Sequence, residues 1–200
     1  MTPQDEKILM RWVINQEGGD TYTDDPNDPG GATRYGISLK RNPDLQTHPE
    51  LMGRYQAEAI LYDRYFIKSG AHLLTPGLAL MLFGGAVNQG VKGSIRRMQR
   101  SINRGTAFPM LAQDGLLGPQ TIQAYHKVSN LESEHRVNVI QEMNAQRATR
   151  YGNIGVNNPT LWRTYGKGWM NRLSQTFAMS IELERESDEE RFRKSRELDR

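Results

Sequence analysis

Residues Glu17 to Ile37, EGGDTYTDDPNDPGGATRYGI, decide how the rest of the chain is read. Glycines at 18, 19, 30, 31 and 36 admit positive φ or close backbone approach, while Pro26 and Pro29 fix φ. Such chemistry predicts a shaped loop or irregular hairpin rather than a helix or a regular strand. The segment also gathers Glu17, Asp20, Asp24, Asp25 and Asp28 on one short constrained stretch, which marks it as a candidate site.

The flanking sequence is helical. Upstream, Thr2-Pro3-Gln4-Asp5 forms an N-cap with proline at the first helical position, and Ile8, Leu9, Trp12 and Val13 fall on one face. This helix is expected to end at Gly18, with Glu17 in its last turn. There the negative end of the helix dipole disfavours an ionised carboxylate, and no basic residue is adjacent in sequence before Arg34, so a proton donor is expected.

Downstream, the pattern predicts a helix from Tyr55 to Phe66 and a central buried helix from Gly77 to Gln89, apolar on nearly every side. Lys92 to Asn103 buries Ile95, Met98 and Ile102 and points Arg96, Arg97 and Arg100 outward, with Arg104 following. A turn over Asp114–Thr121 feeds a short helix to about Val128. Ser129-Asn130-Leu131-Glu132 reads as a capping box for a helix ending near Tyr151-Gly152. In the final helix, Trp162, Tyr165, Trp169, Leu173 and Phe177 make one apolar stripe, expected to be core. The expected fold class is mainly α, with a small irregular β-hairpin at residues 20–38.

Composition narrows the chemistry. The 200 residues contain no cysteine, which excludes disulfides, thiolate metal sites and cysteine nucleophiles. Fourteen of the last nineteen residues are charged, so 182–200 reads as a charged tail of net −2, leaving +5 on residues 1–181. A modest basic excess suits any polyanion and selects none. The N-terminus lacks the pattern of a secretory signal and no segment reaches the length of a membrane span, so synthesis in the cytoplasm and no stable membrane insertion are expected. Asp25, Asn27 and Gly30 imitate a calcium loop only until Pro29 and Gly36 break its spacing, and the four histidines form no HExxH arrangement. No metal and no cofactor are expected. No GxSxG and no phosphate loop occurs.

What remains is one Glu at a helix end followed by an acid and a hydroxyl on a glycine-shaped hairpin. Inverting glycoside hydrolysis needs a carboxylic acid beside the leaving oxygen and a second group holding water on the opposite face of the sugar. Glu17 suits the first role, and Asp28 with Thr33 the second. Tyr22 and Tyr35, inside the loop, are candidates for contacting the ligand. The plainer alternative is that the acids merely close turns.

The run E-G-G-x-x-x-x-D-P-x-D-x-G-G-x-T-x-x-G-I resembles the EGGY-motif N-acetylmuramidases of glycoside hydrolase family 108, which are phage endolysins and bacterial wall hydrolases with a lysozyme-like, mainly helical fold. Further matches are Glu58-Ala59 with Tyr65, Ala86-Val87-Asn88, Asp114-Gly115 with Gly118 and Thr121, and Gly168-Trp169-Met170-Asn171-Arg172. The second half resembles the peptidoglycan-binding region that accompanies the catalytic one. The sequence departs from the family where Asp20 replaces the motif's Tyr, Phe66 a usual Trp, and Gly84 a frequent Asp.

The resemblance implies Glu17 as the essential catalytic residue, and Asn88 and Gln89 join the substrate contacts. It implies a catalytic lobe over 1–90, a peptidoglycan-binding-like lobe over 91–181 packed on it as one globular unit, and cleavage of the β-1,4 bond between N-acetylmuramic acid and N-acetylglucosamine. Peptidoglycan glycan strands are the expected partner of a monomer that binds no nucleic acid. The expected setting is a phage lysis enzyme, released to the periplasm through a holin-type lesion. Two alternatives stay open: a lytic transglycosylase, and a non-catalytic wall-binding or virion structural protein.

Overall fold

The computed structural model describes residues 1–24 and 31–185. Helix α1, Pro3–Gln16, begins on a capping box: the Asp5 backbone N–H donates to Thr2 Oγ1 at 3.2 Å, and the Thr2 N–H donates to Asp5 Oδ2 at 2.8 Å. It ends on Glu17, where Gly18 takes φ +88° and the Gly19 N–H reaches back to the Ile14 carbonyl at 3.0 Å. This is a Schellman stop, and it explains why two glycines follow the Glu.

Strands β1 (Thr33–Arg34) and β2 (Ile37–Ser38) then pair antiparallel, with Thr33 opposite Ser38 and Arg34 opposite Ile37. The two residues between them, Tyr35 and Gly36, both have positive φ, at 54° and 76°. That is the backbone of a type I′ hairpin turn, whose twist suits the flanking strands. Thr23 adds an isolated bridge to Thr33, exchanging backbone bonds of 2.9 and 2.8 Å.

The remaining elements are helices: α2 (Arg54–Leu61), which runs on through a wide π-helical turn at Tyr62–Ile67, α3 (Pro76–Gln89), α4 (Val91–Gly105), α5 (Pro119–Ser129), α6 (Ser133–Asn157) and α7 (Pro159–Arg185). Every residue from Pro76 to Val87 is buried, as the nearly uniform apolar sequence predicts. α3 is the axis of the molecule, packed against α1, α4, α6 and α7. Each fully buried Leu, Met or Phe on it contributes about 1.5–3 kcal/mol of transfer free energy. A mainly α fold with one small two-stranded sheet is the result.

Some boundaries differ from expectation. Helix α6 starts at Ser133 on Glu132, not at the Ser129 capping box, because Ser129 is still the last residue of α5 and its hydroxyl donates to the Leu73 carbonyl at 3.3 Å. It also continues past Gly152 to Asn157.

The break expected at Glu182 comes later. Helix α7 runs to Arg185, with Leu183 and Glu184 buried, although the local composition is that of a solvated tail. The Glu184 carboxylate pairs with Arg136 of α6 at 2.5 Å, accepts the Thr75 hydroxyl, and accepts the Leu78 N–H at 3.1 Å. It therefore serves the free amides at the N-terminus of α3, which Thr75 leaves without a side-chain cap. The rest of the predicted tail, 186–200, lies outside the described residues. No helix among the described residues is long and apolar enough to cross a membrane.

Candidate active site

A cleft of about 510 Å³ opens where the hairpin, the C-terminal end of α3 and the α6/α7 pair meet. From the first half of the chain, Glu17, Thr23, Thr33, Arg41, Asn88 and Gln89 line it. From the second half come Tyr151 of α6 with Tyr165, Trp169 and Arg172 of α7. The cleft thus draws on both halves of the chain.

Glu17 is fixed at both oxygens. Asn88 Nδ2 donates to Oε1 at 2.7 Å, and the Arg172 guanidinium donates to Oε2 at 2.6 Å. The same guanidinium nitrogen donates to Asn88 Oδ1 at 2.6 Å, and Asn88 Nδ2 also meets the Gly84 carbonyl at 2.8 Å. Glu17, Asn88 and Arg172 form a closed, partly buried triangle, with the Glu17 side chain only 11% exposed. The expectation that no basic residue stands near Glu17 is not met: α7 delivers Arg172 from a position 155 residues away. The clue is the Gly168–Arg172 run, whose arginine has no evident role in the sequence alone.

Gly36 explains its own place in the motif. A Cβ there would fall 2.7 Å from Glu17 Cγ and 2.8 Å from Glu17 Cβ. The hairpin turn therefore presses bare backbone against the catalytic candidate and helps hold its rotamer.

Below the cleft, Arg147 of α6 is 1% exposed, with Nη1 4.0 Å from Met81 Sδ. Desolvation pushes its pKa down, opposed by the charge and hydroxyl of Tyr151 and by the charge of Glu17. The α6/α7 wall is aromatic: Trp169 stacks on Tyr151 (5.4 Å, 20°) and on Tyr165 (6.0 Å, 19°), with Trp162 edge-on at 6.5 Å. The helical spacing of Trp162, Tyr165 and Trp169 predicts core positions. They are only partly buried, because the stripe turns its Leu173 end into the core and sets Tyr165 and Trp169 along the cleft.

The structure brings Glu17, Thr33, Asn88 and Gln89 into this cleft. The Thr33 hydroxyl donates to the Gly31 carbonyl at 2.7 Å, leaving its lone pairs available to a further donor. Asp28 and the neighbouring Asp25 lie outside the described residues.

The two tyrosines are placed differently from expectation. Tyr35 is 5% exposed, and its hydroxyl donates to Asp20 Oδ1 at 2.6 Å, so it braces the hairpin instead of reaching a ligand. Tyr22 faces His48 at 6.2 Å and does not line the cleft. The I′ turn places Tyr35, and the Thr23 bridge fixes the backbone next to Tyr22. Asp20 is equally occupied. Its carboxylate is held below the usual range first by the Tyr35 hydroxyl and then by Arg34, which sits at 2.5 Å. No cluster of metal-binding side chains occurs among the described residues.

Comparison with known proteins agrees with this layout. Residues 10–90 match the family model described as Glycosyl hydrolase 108, and residues 93–174 match the model described as Predicted Peptidoglycan domain. Among solved structures the fold is similar to that of Brucella abortus SagA, with a TM-score of 0.67 at 20% identity over 90% of this chain and 97% of that one. No curated protein matches the sequence. Residues 10–90 thus belong to glycosyl hydrolase 108 and residues 93–174 to the predicted peptidoglycan domain, together making a glycoside hydrolase that acts on peptidoglycan.

Proposed function

We propose that the protein is an N-acetylmuramidase that cleaves the β-1,4 bond between N-acetylmuramic acid and N-acetylglucosamine, with Glu17 donating the proton to the leaving oxygen. The observation that carries this reading is the convergence in one cleft of the partly buried Glu17 carboxyl and a stacked aromatic wall. Aromatic faces pack against the apolar faces of sugar rings and hold a glycan strand across the acid. Asn88 and Arg172 fix the carboxyl, which supports the positioning that general acid catalysis requires. Thr33 and Asp28 supply the groups that orient the attacking water.

A second reading has a specific observation in its favour. Among the described residues that line the cleft, Glu17 is the only carboxylate. A lytic transglycosylase needs only one, since the sugar's own hydroxyl replaces water. Mass spectrometry of digested peptidoglycan separates the two. Reducing muramic acid ends support the muramidase, 1,6-anhydro ends the transglycosylase, and no released fragments a binding protein.

Glu17→Gln keeps the shape and one of the two hydrogen bonds, to Asn88 or to Arg172, but cannot donate the proton. Turnover is expected to fall by about a hundredfold or more with folding preserved, checked by wall-clearing rate beside circular dichroism. A role in phage lysis, with action in the periplasm, is part of the proposal; expression with and without a membrane-permeabilising partner tests it, lysis only with the partner being the expected result.

A further inference from the structure

Beside the catalytic cleft, α4 and α6 enclose a second groove of about 790 Å³. Arg96, Arg97, Arg100 and Arg104 enter it from successive turns of α4, and Arg150, Asn153 and Asn157 from α6. No carboxylate lines it among the described residues. Arg104 pairs with Glu142 at 3.4 Å, whereas Arg96, Arg97, Arg100 and Arg150 form no ion pair among the described residues.

The arginines are held together against their own repulsion. Arg97 donates to the Gly93 carbonyl at 2.7 Å, and Arg96 and Arg100 are oriented by the Gln113 carbonyl and side chain at 3.0 and 2.9 Å. Burial, then the charges of Arg150 and Arg147, pull the Arg97 guanidinium down to about 10. Crowded like charges fixed by neutral acceptors suit an anionic ligand.

The groove also communicates with the cleft. Gln89, Arg150 and Ile154 line both, and Gln89 buries its amide nitrogen and oxygen there without a hydrogen-bond partner. A glycan strand of peptidoglycan carries a lactyl group on each muramic acid, and the lining shared by groove and cleft sets this junction beside a strand bound over Glu17. That group bears a short peptide rich in free carboxylates, the planar anions that guanidinium forks bind best.

We propose that the α4/α6 groove is a subsite for the carboxylates of the peptide stem carried by the muramic acid at the cleft, an inference that rests on the hydrolase reading of Glu17. The groove then makes peptide-bearing glycan a better substrate than bare glycan. Phosphate-rich polymers are the competing occupants, and the test distinguishes them.

The experiment uses the full chain on two substrates, peptide-bearing glycan chains and the same chains stripped by an amidase. Wild type is expected to prefer the peptide-bearing chains in kcat/KM. In Arg96→Gln/Arg100→Gln, both exposed positions, the preference should fall by about tenfold, with partial recovery in the Lys pair. Free stem peptide, titrated by NMR, should shift α4 and α6 resonances in wild type and less in the Gln pair.

Equal rates on both substrates in wild type, or an unchanged preference in the Gln pair, would overturn the proposal. So would NMR shifts produced by duplex DNA but not by stem peptide. A wild type inert on both substrates whose α4/α6 resonances still respond to stem peptide would support the groove and sink the muramidase reading instead.

Discussion

At Gly36 one hydrogen atom decides whether Glu17 keeps its place. The residue combines φ +76° with a position where Cβ would meet Glu17 Cγ at 2.7 Å. Gly36→Ala therefore carries left-handed backbone strain of about 1–2 kcal/mol and also displaces the carboxyl from Asn88 and Arg172. A modest loss of Tm should accompany a much larger loss of turnover, read from thermal melts and wall-clearing rates on the same preparation. Loss of Tm alone, with normal turnover, would show that Glu17 tolerates movement. The importance of Glu17 is legible from the motif, since a helix-end Glu followed by two glycines is itself a local pattern. That of Arg172 is not, because its partnership with Glu17 exists only after α7 folds across α3.

The hairpin and the last helix show the same limit at the level of elements. The glycines and prolines of 17–37 announce an irregular turn, but only the I′ geometry at Tyr35-Gly36 decides that Tyr35 gives its hydroxyl to Asp20 and does not line the cleft. Because Asp20 has a depressed folded pKa, its contribution to the hairpin is present above the ordinary carboxylate pKa and is lost as pH falls through the folded value. Asp20→Asn should flatten that acid-side loss, measured as hydrogen-exchange protection of the Thr23 and Thr33 amides against pH.

At the end of α7, the charged composition of residues 182–200 hides two buried positions, Leu183 and Glu184, because composition averages over a helix face and burial does not. The Glu184 side chain is 1% exposed and satisfies Arg136, Thr75 and the Leu78 N–H at once. Glu184→Ala removes the ion-pair partner of Arg136 and the acceptor for Thr75 and the Leu78 N–H, and should cost about 3–5 kcal/mol in denaturant unfolding. Truncation after Ile181 should be destabilising for the same reason, while truncation after Arg185 should retain these contacts.

For the molecule as a whole, the cleft and the core make one demand: the two halves must fold together. Two family models meet near residue 90, which invites the idea of a catalytic unit that could be cut free. The packing argues otherwise. α3, the last element of the first half, is buried on every side from Pro76 to Val87, and three of the helices that cover it, α4, α6 and α7, belong to the second half. Removing them exposes several Leu, Met and Phe side chains, each stabilising by about 1.5–3 kcal/mol, against a net domain stability of about 5–15 kcal/mol. The same cut removes Arg172 from Glu17 and the Tyr151–Trp169–Tyr165 wall from the cleft. A fragment of residues 1–90 is therefore expected to lack near-ultraviolet circular dichroism, to bind hydrophobic dye and to leave peptidoglycan intact. Adding residues 91–200 in trans should restore activity only in samples where the near-ultraviolet signal returns. A soluble, cooperatively melting and active fragment 1–90 would show that α3 finds other cover and that Glu17 works without Arg172.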